Sequence, residues 1–342
     1  MPEQPTKPIL VTGAAGGVGR SVCQALAAAG RPVKALILPS DPAGDVPLPP
    51  ACITRGSIED AALISGLLAG AAAVVNCAAL LPASAQLGWD PFRRINVAAP
   101  VAILKAAAAN GVRHAVFFST ISVIDHVENN PGPADLFRFV EPGVDVYLRS
   151  KIELETALHG LAPDFPGTVT VIRPAFIYGR GSYGVWKDGL ELLRQGTMRL
   201  IDGGKGGLPL VGADDLAALV RDLIESPPAA GQYKVVIAAN PEKTTFRDVF
   251  FFLAETLGVP APRSISSRLL APAAALLERI PPRLLPGRLR LLTRNRVRMC
   301  AHGYDLSGML EAQALPMRHA DWRAGLRGML ESRAAHGGKA PP

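Results

Sequence analysis

Short apolar runs alternate with longer stretches of helical periodicity over the first three quarters of the chain. The runs have little polar alternation, as in strands that are buried on both faces, and they fall at 8–12, 33–38, 51–55, 72–77, 115–119, 168–173 and 232–238. Helical patterns lie between them, at 18–29, 89–110, 144–161, 185–195, 213–225 and 246–257, and a further one follows the third strand and ends at residue 68. This alternation predicts an α/β fold, a doubly wound parallel sheet covered by helices on both faces.

The pattern changes after residue 260. Residues 269–280 are apolar and predict a helix that ends at two prolines, 284–299 interleaves Leu with Arg at helical spacing, and 321–332 predicts a closing helix. We therefore expect a dinucleotide-binding part over 1–180, with 208–240 returning to it. A smaller, mostly helical substrate-binding region is expected over 181–207 and 241–333, and a disordered tail over 334–342.

Composition narrows the class of protein. With 342 residues, 49% of them hydrophobic and 19% charged, the chain is typical of a globular protein, and no apolar run reaches the roughly 18 residues that span a bilayer. The six histidines and four cysteines show no metal-ligand spacing, so no metal is predicted. The scattered thiols and the polar start of the chain favour a cytoplasmic location.

The net charge of +7 is concentrated in one segment. Residues 263–298 hold nine Arg, no Lys and a single acid, Glu278, which leaves the rest of the chain close to neutral. Aromatic-basic repeats are absent from the sequence, so nucleic acid is not an expected partner. Two interpretations of 264–299 stay open: a basic amphipathic segment lying on an anionic membrane, or helices whose Leu face packs and whose Arg face is solvated.

A glycine-rich turn, Thr12 to Gly19, follows the first strand and opens the first helix. Gly13 permits the turn, Gly16 lets the backbone approach a pyrophosphate, and Gly19 lets the helix pack on the strand. The second strand ends in Leu38, where neither an acid for a ribose hydroxyl nor an Arg for a 2′-phosphate stands; Asp41 follows three residues later. The turn predicts a dinucleotide, NAD rather than NADP, without excluding NADP.

Tyr147 and Lys151 lie four residues apart in a predicted helix and therefore share one face. An ammonium beside a phenol favours the phenolate, so we expect the pKa of Tyr147 to be lowered, as proton exchange with a substrate alcohol or ketone requires. Two interpretations of residues 125–146, which lead into this helix, stay open: a segment that covers the substrate, or a surface loop with no function. A Gly-x-Ser-x-Gly elbow is absent, which argues against a hydrolase.

Together these motifs resemble the extended short-chain dehydrogenase/reductase superfamily over roughly residues 9–332. They are the glycine turn, Gly56-x-x-x-Asp60, Asn96, Ser119-Thr120, Tyr147/Lys151, Arg173-Pro174 with Tyr178-Gly179, and Val211 to Asp215. The stretch 200–216 and the Arg/Leu-rich C-terminus look most similar to the 3β-hydroxysteroid dehydrogenase and dihydroflavonol-reductase-like branch. The resemblance implies a Rossmann fold.

The resemblance also implies roles for individual residues. Tyr147 would be the general acid/base, Lys151 its partner on the nicotinamide ribose, and Thr120 the hydroxyl on the reacting oxygen, with Ser119 and Ser122 as rivals. Asn96 would bend a helix or relay protons, unless it is only a structural polar residue. Cofactor contacts are implied for Gly13, Ala15, Gly16, Gly17, Val18, Gly19, Ile37, Leu38, Ser57, Ile58, Cys77, Ala78, Ala79, Lys151, Pro174, Ala175 and Ile177. Ser57, Leu38 and Ile124-Asp125 depart from the usual pattern.

The sequence thus predicts an NAD(P)-dependent enzyme that interconverts a secondary alcohol and a ketone on an apolar, steroid-like or other cyclic small molecule. Two alternatives remain: a nucleotide-sugar epimerase or dehydratase, and a non-catalytic dinucleotide-sensing protein. The superfamily also implies a homodimer formed through the helices at 89–110 and 144–161.

Overall fold

A computed structural model of the chain describes residues 7–124, 136–227, 229–280, 284–285, 289, 292–313 and 321–335. Its strands are β1 (Ile9–Thr12), β2 (Val33–Ile37), β3 (Ile53–Arg55), β4 (Ala73–Asn76), β5 (His114–Phe118), β6 (Thr168–Pro174), β7 (Phe176–Tyr178), β8 (Arg199–Ile201), β9 (Leu210–Gly212), β10 (Tyr233–Ala238) and β11 (Arg263–Ile265). Seven of them form one parallel sheet in the order β10-β6-β5-β4-β1-β2-β3. The order reverses between β1 and β4, so a crevice opens there at the carboxyl edge.

Helices cover both faces of this sheet. They are α1 (Gly17–Ala28), α2 (Ala61–Leu68), α3 (Trp89–Arg93), α4 (Ala99–Ala109), α5 (Val146–Leu161), α6 (Tyr183–Arg194), α7 (Ala213–Glu225), α8 (Phe246–Leu257), α9 (Ser267–Leu277), α10 (Arg294–His302), α11 (Ser307–Gln313) and α12 (Trp322–Ala335). Buried side chains of α1, α7 and α11 share one core with the sheet, and those of α2, α4 and α5 share another. The predicted doubly wound Rossmann fold is confirmed.

A third core holds the C-terminal region together. Trp186 and Leu190 of α6, Phe250 of α8, and Trp322 and Leu326 of α12 are among its buried members. Two small parallel sheets, β7 with β9 and β8 with β11, frame this core. The strands β7, β9 and β11 have three residues each and lie outside the regular alternation of strands and helices, so they were not predicted.

Two predicted boundaries differ from the structure, and one predicted helix contains an irregular turn. The helix predicted over 89–110 contains a π-helical turn, Arg94–Ala98, between α3 and α4. The helix predicted over 284–299 begins only at Arg294, where the Thr293 side chain accepts a hydrogen bond from the Arg296 amide. At the other end of the chain, α12 includes residues 334 and 335 of the predicted tail, while 336–342, like 125–135, lie outside the described residues. None of the described helices is both long and apolar enough to cross a membrane.

Candidate active site

The residues predicted to bind a cofactor come together at one edge of the main sheet. Parallel strands end on the same side, and the predicted residues follow or flank the carboxyl ends of β1, β2, β3, β4 and β6, with Lys151 joining them from α5. The side chains of Ile37 and Ile58 are buried in the two cores, so a ligand at this edge would meet their backbone only. No group of three metal-ligating side chains occurs among the described residues.

The glycine turn is shaped by close backbone contacts. Gly13 has φ +64°, and a Cβ there would lie 2.6 Å from the Ala78 amide nitrogen, while a Cβ at Gly19 would lie 2.2 Å from the Gly13 carbonyl oxygen. Gly16 is different, because an added Cβ would meet only the Gly13 carbonyl oxygen, at 3.3 Å. As the N-cap of α1, Gly16 offers no side-chain acceptor to the first amides of the helix. The turn therefore fits a pyrophosphate at a helix N-terminus.

An arginine from the neighbouring strand contacts the turn after β2, and the sequence did not indicate this contact. Arg55, at the end of β3, donates from Nη1 to the carbonyl oxygens of Pro39 (2.8 Å), Asp41 (2.8 Å) and Leu38 (3.3 Å). The Asp41 carboxylate accepts a hydrogen bond from the Leu38 amide at 2.9 Å. Both side chains thus hold the turn that follows β2.

Tyr147 and Lys151 meet the end of β5. Asp145 caps α5 by accepting from the Leu148 amide at 3.0 Å, which places Tyr147 in the first helical turn. The Tyr147 phenol is hydrogen-bonded to Thr120. Lys151, only 3% exposed, donates from Nζ to the Phe118 carbonyl oxygen at 2.9 Å, and its Nζ lies 5.8 Å from the centroid of the Tyr147 ring. The predicted phenol, ammonium and hydroxyl therefore form one cluster.

The surroundings of Tyr147 act against the predicted lowering of its pKa. Burial raises the pKa of the phenol, the nearby Asp145 carboxylate raises it further, and the Thr120 hydrogen bond lowers it only in part. Burial also lowers the pKa of Lys151 to about 8, against the opposing effect of Glu155 one turn later. Desolvation dominates both groups, and the phenol is protonated at neutral pH.

Asn96 lies in the π-helical turn and clamps two segments together. Its Oδ1 accepts from the Leu80 amide at 2.7 Å, and its Nδ2 donates to the Leu80 carbonyl oxygen and to Ser150 Oγ, both at 3.0 Å. Ser150 stands between Tyr147 and Lys151 in α5. Asn96 therefore positions the segment after β4 against the helix that carries the cluster, and these contacts favour the helix-bending role over proton relay.

A chain of hydroxyls extends from Tyr147 into the C-terminal region. Thr120 Oγ1 donates to Ser122 Oγ at 3.2 Å, and Ser122 is hydrogen-bonded to the phenol of Tyr304, which is 7% exposed. Ser119 differs, since its buried Oγ has no hydrogen-bond partner among the described residues. These contacts favour Thr120 over Ser119 and Ser122 as the hydroxyl beside Tyr147. Sequence reasoning missed Tyr304, which carries no motif.

A buried ion pair stands behind Lys151. The Arg173 guanidinium donates to both carboxylate oxygens of Glu155, at 2.6 to 3.1 Å, and both side chains are fully buried. Arg173 also donates to the Leu136 carbonyl oxygen at 2.5 Å. The pair ties β6 to α5 one turn beyond Lys151.

Comparisons with known proteins show that the chain is similar to reductases, dehydrogenases and dehydratases. The 2-alkyl-3-oxoalkanoate reductase of Stenotrophomonas maltophilia (strain K279a) is 28% identical over 81% of this chain and 84% of its own length. A 3 beta-hydroxysteroid dehydrogenase/Delta 5-->4-isomerase of Mycobacterium tuberculosis (strain ATCC 25618 / H37Rv) is 26% identical over 58% of this chain and 54% of that protein. The dTDP-glucose 4,6-dehydratase DesIV of Streptomyces venezuelae, crystallised with NAD, superposes with a TM-score of 0.72 at 20% identity, covering 97% and 98% of the two chains.

The sequence model of the NAD dependent epimerase/dehydratase family matches residues 9–239. The chain therefore belongs to this family of NAD-dependent oxidoreductases and epimerases that act on CH–OH groups, as the sequence predicted.

Proposed function

We propose that this protein is an NAD-dependent ketoreductase that interconverts a ketone and a secondary alcohol on an apolar substrate. The observation that carries the proposal is the Tyr147–Thr120 hydrogen bond at the end of β5, with Lys151 buried beside it. A phenol that stays protonated at neutral pH can deliver its proton to a carbonyl oxygen. The cluster can therefore supply the proton that reduction of a ketone requires.

Each residue of the cluster has a separate task in this reaction. NADH, when bound, supplies the hydride that reaches the carbonyl carbon. Tyr147 donates its phenolic proton to the carbonyl oxygen, and the Thr120 hydroxyl hydrogen-bonds the same oxygen as negative charge develops on it. Lys151, already directed at the Phe118 carbonyl, would hold the ribose next to the phenol and stabilise the phenolate that remains after proton transfer.

The glycine turn supports NAD as the cofactor, because Gly16 and the free N-terminus of α1 suit its pyrophosphate. The turn after β2 supports NAD over NADP. Arg55 of β3 already donates hydrogen bonds to three backbone carbonyl oxygens of this turn, so the 2′-phosphate of NADP would have to compete with them for the guanidinium.

The substrate class is inferred from two observations. The segment before Val211 contains Leu208 and Leu210, both buried, where nucleotide-sugar enzymes of this fold commonly have an Arg-Asp pair for the diphosphate. In addition, the names of the reductase and dehydrogenase relatives describe substrates with alkyl chains or steroid rings. Both observations favour a largely apolar ketone over a nucleotide sugar.

The test is NADH oxidation at 340 nm with three probes: a 2-alkyl-3-oxoalkanoate, a 3-ketosteroid and, for the rival epimerase activity, UDP-glucose analysed for epimerised product. We expect turnover of an apolar ketone and none of UDP-glucose. Tyr147→Phe should reduce kcat by at least about a hundredfold while NADH binding, followed by fluorescence titration, stays unchanged. Epimerisation of UDP-glucose without ketone reduction would refute the proposal, as would full activity of Tyr147→Phe.

A further inference from the structure

Helix α9 lies at the surface of the protein, and six of its eleven residues are exposed. Of its eleven residues only Ala274 is buried. The helix packs along one side on α10, and a proline, Pro272, stands in its middle without ending it. Such a helix has an unusually large surface left for a partner.

The exposed surface of α9 carries a continuous apolar stripe. Leu269, Pro272, Ala273 and Leu276 are all exposed and follow the i, i+3, i+4, i+7 spacing of one helix face. Leu269 is 71% and Leu276 62% exposed. Ile280, Leu284 and Leu289, which follow α9 in the sequence, are exposed as well. Single exposed leucines are ordinary in proteins, but a contiguous group of them marks an interaction surface.

Four arginines on α9 and on the neighbouring elements of the chain add positive charge to this part of the protein. Arg263, Arg268, Arg279 and Arg298 are exposed. The one acid of the segment, Glu278, is 14% exposed and is engaged by Arg294, whose Nε and amide donate to its two oxygens at 2.6 and 2.8 Å. A second carboxylate, that of the exposed Asp202, lies at the start of α9, where it accepts a hydrogen bond from the Ser267 amide at 2.9 Å and lies near Arg268. The described arginines of this surface still outnumber its carboxylates, so the surface combines an apolar stripe with a positive charge.

The charge decides between the possible occupants. A second copy of the chain, placed on the stripe by two-fold symmetry, would bring two arginine clusters face to face, which is unfavourable. A flat anionic lipid surface complements both features, because leucines enter the acyl boundary while arginines contact the phosphates. Of the two interpretations of 264–299 that the sequence left open, the membrane one then becomes specific to α9.

We propose that the stripe of α9 formed by Leu269, Pro272, Ala273 and Leu276 is a docking surface for an anionic lipid bilayer, with Arg268 and Arg279 contacting the lipid phosphates. The contact is peripheral, since the stripe is one face of a short helix. Because α10, on which α9 packs, leads directly into Tyr304, docking would place the active site close to the lipid from which an apolar substrate could enter. The docking itself does not depend on the proposed reaction.

The experiment is flotation of the full-length protein with vesicles of phosphatidylcholine containing phosphatidylglycerol, compared with vesicles of phosphatidylcholine alone. We expect flotation with the anionic vesicles and little with the neutral ones. If each leucine buries about half of its side chain, Leu269→Gln with Leu276→Gln should weaken binding about tenfold or more. Arg268→Gln and Arg279→Gln should each weaken it about fivefold.

Two control variants match these changes elsewhere on the surface. Leu87→Gln replaces a leucine that is 52% exposed, and Lys105→Gln replaces an exposed cation of α4; neither should change flotation. All of these side chains are exposed, so the melting temperature should stay constant. The proposal is overturned if wild-type protein does not float with anionic vesicles, or if the double leucine variant floats as well as wild type. It is also overturned if that variant instead turns a dimer into a monomer in light scattering.

Discussion

The buried pair between Arg173 and Glu155 offers a quantitative test of how the active site is supported. Glu155→Gln keeps the shape of the side chain and removes its charge. Since both partners are fully buried, the Arg173 guanidinium would be left without a counter-charge. Removing one member of such a pair typically costs about 3–5 kcal/mol of unfolding free energy, and we expect a loss in that range.

The structure also indicates which substitution should restore stability. Arg173 Nη1 is buried and has no hydrogen-bond partner among the described residues, so the native pair is itself incompletely satisfied. Replacing both side chains by apolar ones, Arg173→Met with Glu155→Leu, removes the charges together. We expect this double variant to recover most of the stability lost by Glu155→Gln.

The assay is urea unfolding, followed by the fluorescence of the buried Trp186 and Trp322 and analysed by linear extrapolation. Stability is compared as the difference between variants at one pH. A loss below about 1 kcal/mol for Glu155→Gln, or a double variant as unstable as the single one, would refute the reasoning.

Glu155 also raises the pKa of Lys151, so the single variant should shift the Lys151 titration to lower pH. The control is Glu153→Gln, which removes the charge of an exposed carboxylate on the same helix.

Three further predictions address the catalytic cluster. Thr120→Ala should lower kcat about a hundredfold with the KM for NADH unchanged, whereas Thr120→Ser keeps the hydroxyl and should stay within about tenfold of wild type; equal activity of both variants would contradict the assigned role. Tyr304→Phe preserves the packing but removes the hydroxyl bound to Ser122, so we expect kcat to fall and its pH profile to shift; an unchanged profile would show that Tyr304 only packs. Lys151 has a folded pKa of about 8, below its ordinary value, so its buried charge destabilises the fold below pH 8 and this cost disappears as pH rises toward about 10.5. Wild type should therefore gain up to about 3 kcal/mol relative to Lys151→Met across that window, measured by urea unfolding at several pH values, and a constant difference would contradict it.

The sequence was sufficient for the fold because its signals are local. Apolar runs of buried strands, the glycine turn and the helices between them each depend on neighbouring residues, and their alternation allows one plausible arrangement. The same locality explains why Tyr147 and Lys151 were found: a spacing of four on a helix already places two side chains on one face. The homodimer, by contrast, stays a prediction.

Tertiary structure alone decided the features that depend on distant segments and on burial. Tyr304 reaches the hydroxyl chain, and Arg55 reaches the turn after β2, only because the chain folds them there. The predicted direction of the Tyr147 pKa shift was wrong, since the sequence shows its neighbouring ammonium but neither the partial burial of the phenol nor the effect of the Asp145 carboxylate on it. The exposed stripe of α9 belongs with these features. A helical pattern of leucines and arginines looks the same in the sequence whether its leucines pack against the protein or face solvent. Only the packing of the surrounding helices determined that Leu269 and Leu276 face solvent.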